Sequence, residues 1–172
     1  VHGFTFSVAD ILDRPGTYRD IRLSERLPGV GSVLARISDD AIIAELRAES
    51  VVEGILVTGT SRASVVLSCA RCLRDFETEV RADLCELFAA PGHEVSSEAD
   101  VYEVRGIEID VEPALRDAVT LSLPLRPLCR DDCKGICAGC GTDLNAGVCQ
   151  CVDDDVDPRW AQLDALRAKL ER

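Results

Sequence analysis

The sequence predicts an α+β protein: an antiparallel sheet, open or barrel-like, with peripheral helices and a Cys-rich C-terminal module. Three observations carry that expectation. Residues 41–88 are rich in β-branched side chains and partly alternate, as strands do. A helical period appears only in the flanks. Six of the nine cysteines fall at 129, 133, 137, 140, 149 and 151, among few large apolar residues, so that stretch needs a staple rather than burial to hold it. The 172 residues suit one domain with a small satellite. The expected division is 1–123, a body with its following helix, and 124–172, the Cys-rich module with a C-terminal helix.

The elements follow in order. Val8 to Asp13 is amphipathic and reads as a single helical turn before the Pro15-Gly16 turn. Leu27-Pro28-Gly29-Val30-Gly31 is a second break. Ala41 to Ala48 is a short, half-apolar strand. Ser50 to Thr60 is β-branched, with Gly54 and Gly59 marking a bulge or bend. Ser64 to Cys69 follows at hairpin spacing, and Phe76 to Leu87 alternates in part. Together they read as an antiparallel meander of roughly three to five strands. Residues 89–100 read as a loop. The acids between Glu94 and Asp117 outnumber the bases and read as a solvated face. Asp110 is placed to cap a helix from Val111 to about Leu121, with Pro113 in its first turn and Leu115, Val119 and Leu123 on one face. Asp157 is placed to cap a final helix. Its stripe of Trp160, Leu163, Leu166 and Leu170 docks on the sheet or on a partner.

Charge limits the function. The formal net charge is -12, so a polyanion is repelled by the average field and any nucleic-acid contact must be local. DNA and membrane are not expected partners. No apolar run reaches the roughly 18 residues of a membrane span, and no secretory pattern opens the sequence. Met is absent, so Val1 is not expected to be a natural start.

The cysteine spacing is the strongest signal. Cys137-Ala138-Gly139-Cys140-Gly141 is a knuckle: two thiolates three positions apart bite one ion when the chain turns tightly between them. Cys149-Gln150-Cys151 completes a compact four-sulfur set. Cys69-Ala70-Arg71-Cys72 is a second bidentate pair, complemented by Cys129 and Cys133. Two structural Zn2+ ions are therefore expected, one on Cys69, Cys72, Cys129 and Cys133, the other on Cys137, Cys140, Cys149 and Cys151. An alternative split sends Cys129 or Cys133 to join Cys137 and Cys140. A redox dithiol at Cys69 and Cys72 would call for a helix N-terminus, and the flanks are strand-like. Disulfides would need oxidising surroundings and leave one cysteine over. His2 and His93 are not needed as ligands. Cys85 is expected as a buried thiol in its strand. A reducing, cytoplasmic setting follows from this reading.

Arg71, Arg74, Arg126, Arg130 and Lys134 flank the first two pairs, diluted by Asp75, Asp131 and Asp132. They form either a phosphate-binding patch or ordinary pairs with those acids and with the thiolates. No nucleotide-binding glycine loop, nucleophile elbow or H-E-x-x-H occurs, and two His leave little for acid–base chemistry. The expectation is a protein that is not an enzyme, with no catalytic residue.

The chain resembles the YceD family, the large ribosomal RNA subunit accumulation proteins of bacteria and plastids. The resemblance rests on Ile11-Leu12-Asp13-Arg14-Pro15-Gly16, Val52 to Gly59 and Cys69-Ala70-Arg71-Cys72-Leu73. It continues through Leu123-Pro124-Leu125-Arg126-Pro127-Leu128-Cys129, Cys133 to Cys137, Cys140-Gly141, Asn145, Cys149-Gln150-Cys151 and Asp157-Pro158-Arg159. It implies a role in making or keeping the RNA of the large ribosomal subunit, in the cytosol, without an assigned catalytic activity. The resemblance names no direct partner; the mixed charge field points to that RNA, met by Arg71, Arg74, Arg126, Arg130 and Lys134, or alternatively to a basic ribosomal protein met by the acidic surface.

Overall fold

The computed structural model describes residues 3–38, 41–92, 102–151 and 163. The final helix expected from Asp157, with its stripe of Trp160, Leu166 and Leu170, lies outside the described residues, as do His2, His93 and most of the acidic loop. Leu163 alone of that stripe is described, helical and exposed.

Among the described residues the strands are β1 (Thr5–Ser7), β2 (Tyr18–Glu25), β3 (Gly31–Ser32), β4 (Ala35–Ile37), β5 (Ile42–Val51), β6 (Gly54–Ser68), β7 (Asp75–Ala89), β8 (Tyr102–Glu103) and β9 (Glu108–Asp110), followed by one helix, α1 (Glu112–Ser122). β6 is the spine. It pairs β7 along its whole length on one side; on the other it pairs β5 with its first half and β4 with its last. β2 extends the sheet beyond β5, β3 beyond β4, and β8 adds a short parallel edge to β7. Every ladder but β7–β8 is antiparallel, as expected, and β1 pairs separately with β9. The sheet does not close into a barrel: no described residue of β2 pairs across to β7 or β8. β2 reads Tyr-Arg-Asp-Ile-Arg-Leu-Ser-Glu, and a charged strand of that kind blunts an edge rather than seeking another partner.

Strand alternation sets the core. In β5, Ile42, Ala44, Leu46 and Ala48 are buried while the residues between them face outward. Ile55, Val57, Ala63 and Val65 of β6 and Val80, Ala82, Leu84 and Phe88 of β7 line the same face. α1 lays Ala114, Leu115 and Val119 on it, and Leu123 joins them, as the helical spacing predicts. Phe4, Phe6, Val8 and Ile11 complete the cluster from the N-terminal arm.

Several local expectations are corrected. There is no hairpin between Thr60 and Ser64: β6 runs through them, because Ser61 and Ala63 point inward and only look like a polar break. The turn is at Val52-Glu53, within the apolar run. Gly54 and Gly59 mark no bulge, since the β5–β6 and β6–β7 registers advance without a slip from end to end. They mark close approach. A Cβ at Gly59 would overlap the carbonyl oxygen of Glu45, and one at Gly54 that of Phe88. The N-terminal segment, by contrast, forms the single helical turn expected of it, with Leu12 N–H donating to Val8 O at 2.8 Å. Asp110 is not the N-cap: it ends β9, and its carboxylate accepts the Glu112 N–H at 3.0 Å while Val111 takes the cap position. Cys85 is exposed rather than buried. Val80, Ala82 and Leu84 occupy the inward phase of β7 and leave the odd positions to the outer face.

Candidate metal centres

The chain divides into two compact units, Val1–Cys133 and Lys134–Arg172, and each holds one cluster of four cysteines. In the first, the loop joining β6 to β7 is itself a knuckle. Cys69 N–H donates to Arg74 O at 2.9 Å and Leu73 N–H to Cys69 O at 2.9 Å, turning the chain so that Cys69 and Cys72 face one point. The segment after α1 returns to meet them, with Ala70 N–H donating to Pro127 O at 2.8 Å. Arg71 braces the two limbs: its guanidinium donates to Cys133 O at 2.8 Å and to Asp131 O at 3.2 Å. The sulfurs of Cys69, Cys72, Cys129 and Cys133 lie within 4.8 Å of one another. Cys69 and Cys133 sulfurs stand 3.8 Å apart, Cys72 and Cys129 sulfurs 3.7 Å apart.

Those separations discriminate. A disulfide needs about 2.05 Å, and all nine cysteines are free. A tetrahedral ion with metal–sulfur bonds near 2.3 Å spaces its ligands about 3.8 Å apart. The donor set and its geometry fit a soft tetrahedral metal ion, with every position taken by sulfur.

The second unit repeats the device. Cys137 N–H donates to Thr142 O at 2.9 Å and Gly141 N–H to Cys137 O at 2.8 Å. Gly141 has φ +74°, a conformation glycine adopts without penalty. Cys137, Cys140, Cys149 and Cys151 converge within 4.8 Å, and a Cβ at Gly139 would meet the Cys151 sulfur at 3.5 Å, so the cluster closes over bare backbone. Asp143 and Asn145 shape the connecting turn: the Asp143 carboxylate accepts from the Asn145 backbone N–H and from its side-chain amide, and the Asn145 side-chain oxygen accepts the Lys134 backbone N–H at 2.8 Å. The alternative split, with Cys129 or Cys133 on the second cluster, is not the arrangement found.

The electrostatics agree with the geometry. Burial pushes the Cys69 thiol up, but backbone N–H groups of Cys72, Cys129 and Arg71 outweigh it and hold Cys69 down to about 6. Burial and thiol hydrogen bonds with Cys72, Cys133 and Cys69 push Cys129 up to about 12. In the other cluster, hydrogen bonds with Thr142 hold Cys140 at about 6, while those with Cys140 and Cys137 push Cys151 to about 12. Four crowded sulfurs thus share protons among themselves, and a cation that enters displaces them.

Of the cations singled out in the sequence, Arg71, Arg74, Arg126 and Arg130 lie in the first unit and are exposed. Lys134 opens the second unit. Arg130 pairs with Asp132 at 3.3 Å. Sequence reading missed the brace made by Arg71, because nothing in Cys-Ala-Arg-Cys says where the guanidinium goes. It also missed the Asp75 carboxylate, which is held below the usual carboxylate range by the Ser68 hydroxyl and by Arg36 at 3.0 Å.

Fold and sites together define an antiparallel β protein whose long hairpin and C-terminal segment are each gathered by four cysteines. Comparison with known proteins places that class. The family model described as large ribosomal RNA subunit accumulation protein YceD matches residues 57–167, and the chain belongs to the YceD family. It is 40% identical over 164 residues to an uncharacterized protein of Mycobacterium tuberculosis, covering 92% of this chain and 79% of that one. A Mycobacterium leprae protein, also uncharacterized, is 38% identical over 174 residues, covering 95% and 77%. Over 65 residues it is 34% identical to the large ribosomal RNA subunit accumulation protein YCED homolog 1, chloroplastic, of Arabidopsis thaliana, covering 38% of this chain and 20% of that one. No solved structure matches. Among the described residues no helix is long and apolar enough to cross a membrane.

Proposed function

We propose that this protein is a non-enzymatic, cytoplasmic factor that supports accumulation of the large-subunit ribosomal RNA. Each cysteine cluster holds a structural zinc ion. Arg71, Arg74, Arg126, Arg130 and Lys134 supply cations for contact with that RNA. The observation that carries the reading is the first cluster's position. It gathers Arg71, Arg74, Arg126 and Arg130 onto two limbs joined by the Ala70–Pro127 hydrogen bond, on a chain whose overall net charge is -12. Local cations on an acidic protein confine polyanion contact to one place. With four sulfurs on each ion, no position is open for a reacting water, and the zinc acts as scaffold.

Filter binding of transcribed large-subunit ribosomal RNA across a salt series tests this. The double change Arg74→Glu and Arg126→Glu leaves the Arg71 brace intact. It should weaken binding at least about tenfold and lower the salt slope by about two. Unchanged affinity and slope would remove RNA contact from the reading. A second reading is favoured by the net charge itself: the acidic surface binds a basic ribosomal protein, and association then survives ribonuclease.

A further inference from the structure

The two knuckles are built alike, so each serves as a control for the other. In both, the first cysteine's N–H reaches the carbonyl five residues on, and the residue after the second cysteine donates back to the first cysteine's carbonyl. That residue has positive φ in both: +74° at Gly141 and +58° at Leu73. Glycine is the residue this backbone favours, and a bulky side chain takes it rarely. Leu73 gains no burial in return. It is 62% exposed, while Phe76, Leu128 and Cys129 supply the partly buried packing around the buried cysteines. At Gly141 an added Cβ would meet nothing within 4 Å, so in the second knuckle as well this position points into open space. A strained, solvent-facing leucine with a glycine-bearing twin in the same chain points to a role outside the fold.

Its surroundings give the chemistry. The second knuckle carries Gly139, Gly141 and Thr142 where the first carries Arg71, Leu73 and Arg74. Two further exposed apolar side chains lie on segments hydrogen-bonded to the knuckle's flanks. Leu125, 93% exposed, is two residues from Pro127, whose carbonyl binds Ala70. Val33, 99% exposed, precedes Leu34, whose carbonyl binds the Ser68 N–H at 2.8 Å. Arg36 and Arg126 follow on the same two segments. The segments joined at the knuckle therefore each carry an exposed apolar side chain and an arginine. Duplex RNA offers phosphates but keeps its base faces stacked; a loop or bulge offers phosphates and unstacked apolar faces together.

We propose that Leu73, with Leu125 and Val33 on the segments bonded to its knuckle, is an apolar contact for unpaired bases, and that the arginines of those segments hold the adjoining phosphates. This rests on the RNA-binding reading above and assigns the element within it that distinguishes looped RNA from duplex. The test uses the metal-loaded full chain with large-subunit ribosomal RNA transcripts, and with one oligonucleotide sequence presented single-stranded and as a duplex. Leu73→Gly and Leu73→Asn both suit positive φ. Both should retain the bound metal and the melting temperature, yet lose about tenfold in affinity for the single strand, the order expected for withdrawing one leucine's contact area. Duplex binding should hardly change. Wild-type affinity in both variants, with the Arg74→Glu and Arg126→Glu change still weakening binding, overturns the Leu73 assignment and leaves the RNA reading standing. Loss of metal in both variants makes Leu73 a structural residue and overturns it too. Equal loss on duplex and single strand refutes the unpaired-base contact, and absence of RNA binding by the wild type defeats both readings.

Discussion

A carbonyl oxygen stands where the Cβ of residue 59 would go. Gly59 lies opposite Leu46 on one side and Leu84 on the other, at φ +151°, so any side chain there must push β5 away from β6. Gly59→Ala should cost about 3 kcal/mol, from backbone strain plus a displaced ladder. Chemical denaturation of the metal-loaded protein measures this; a loss below about 1 kcal/mol would mean the strands part easily. The sequence showed that Gly59 was special but not how. Glycine in a strand signals either a bulge or a close approach, and only the uninterrupted register separates the two. Cys85 was misjudged for a similar reason: its neighbours alternate, but the inward phase belongs to Leu84.

At the scale of elements, the two knuckles differ in what they close. Cys69 and Cys72 link the β6–β7 hairpin to a limb far along the chain, while Cys137 to Cys151 close only local turns. With a metal ion in each cluster, loop-closure arithmetic gives the distant link about 4 kcal/mol and the local one about 3 kcal/mol. Cys133→Ser should therefore lower the melting temperature more than Cys151→Ser, each removing one ion per chain as counted by metal analysis. The reverse order would place the stabilisation in the C-terminal unit. The four-sulfur sets were legible because Cys-x-x-Cys spacing has few other uses in this setting. β2 was not: Ile21 and Leu23 are its only aliphatic side chains larger than a methyl group, and its strand character comes from pairing with β5. The same holds for β3, β4 and β8, each of two or three residues.

Taken as a whole, the molecule is acidic, and a metal ion at either cluster would compete with protons for its thiolates. Ligation needs all four sulfurs deprotonated, so acid opposes it and rising pH favours it. Cys69 and Cys140 are held to about 6 by N–H and hydroxyl donors, whereas Cys129 and Cys151 are pushed up to about 12 by their sulfur neighbours and burial. Metal retained per chain after dialysis should be full at neutral pH and fall as pH drops below about 6. Retention unchanged well below that value would mean the sulfurs are not the ligands. The antiparallel class of the sheet was readable from β-branched runs alone. Its openness was not, because closure depends on which distant edges meet, and no local pattern encodes that.

β6 and β7 are paired over fifteen residues each, a span of about 50 Å at the usual rise. That makes the pair a lever fixed at both ends: β4 braces the last part of β6 beside the knuckle, so a push on the knuckle passes along the ladder toward Val52-Glu53 instead of being absorbed where it lands.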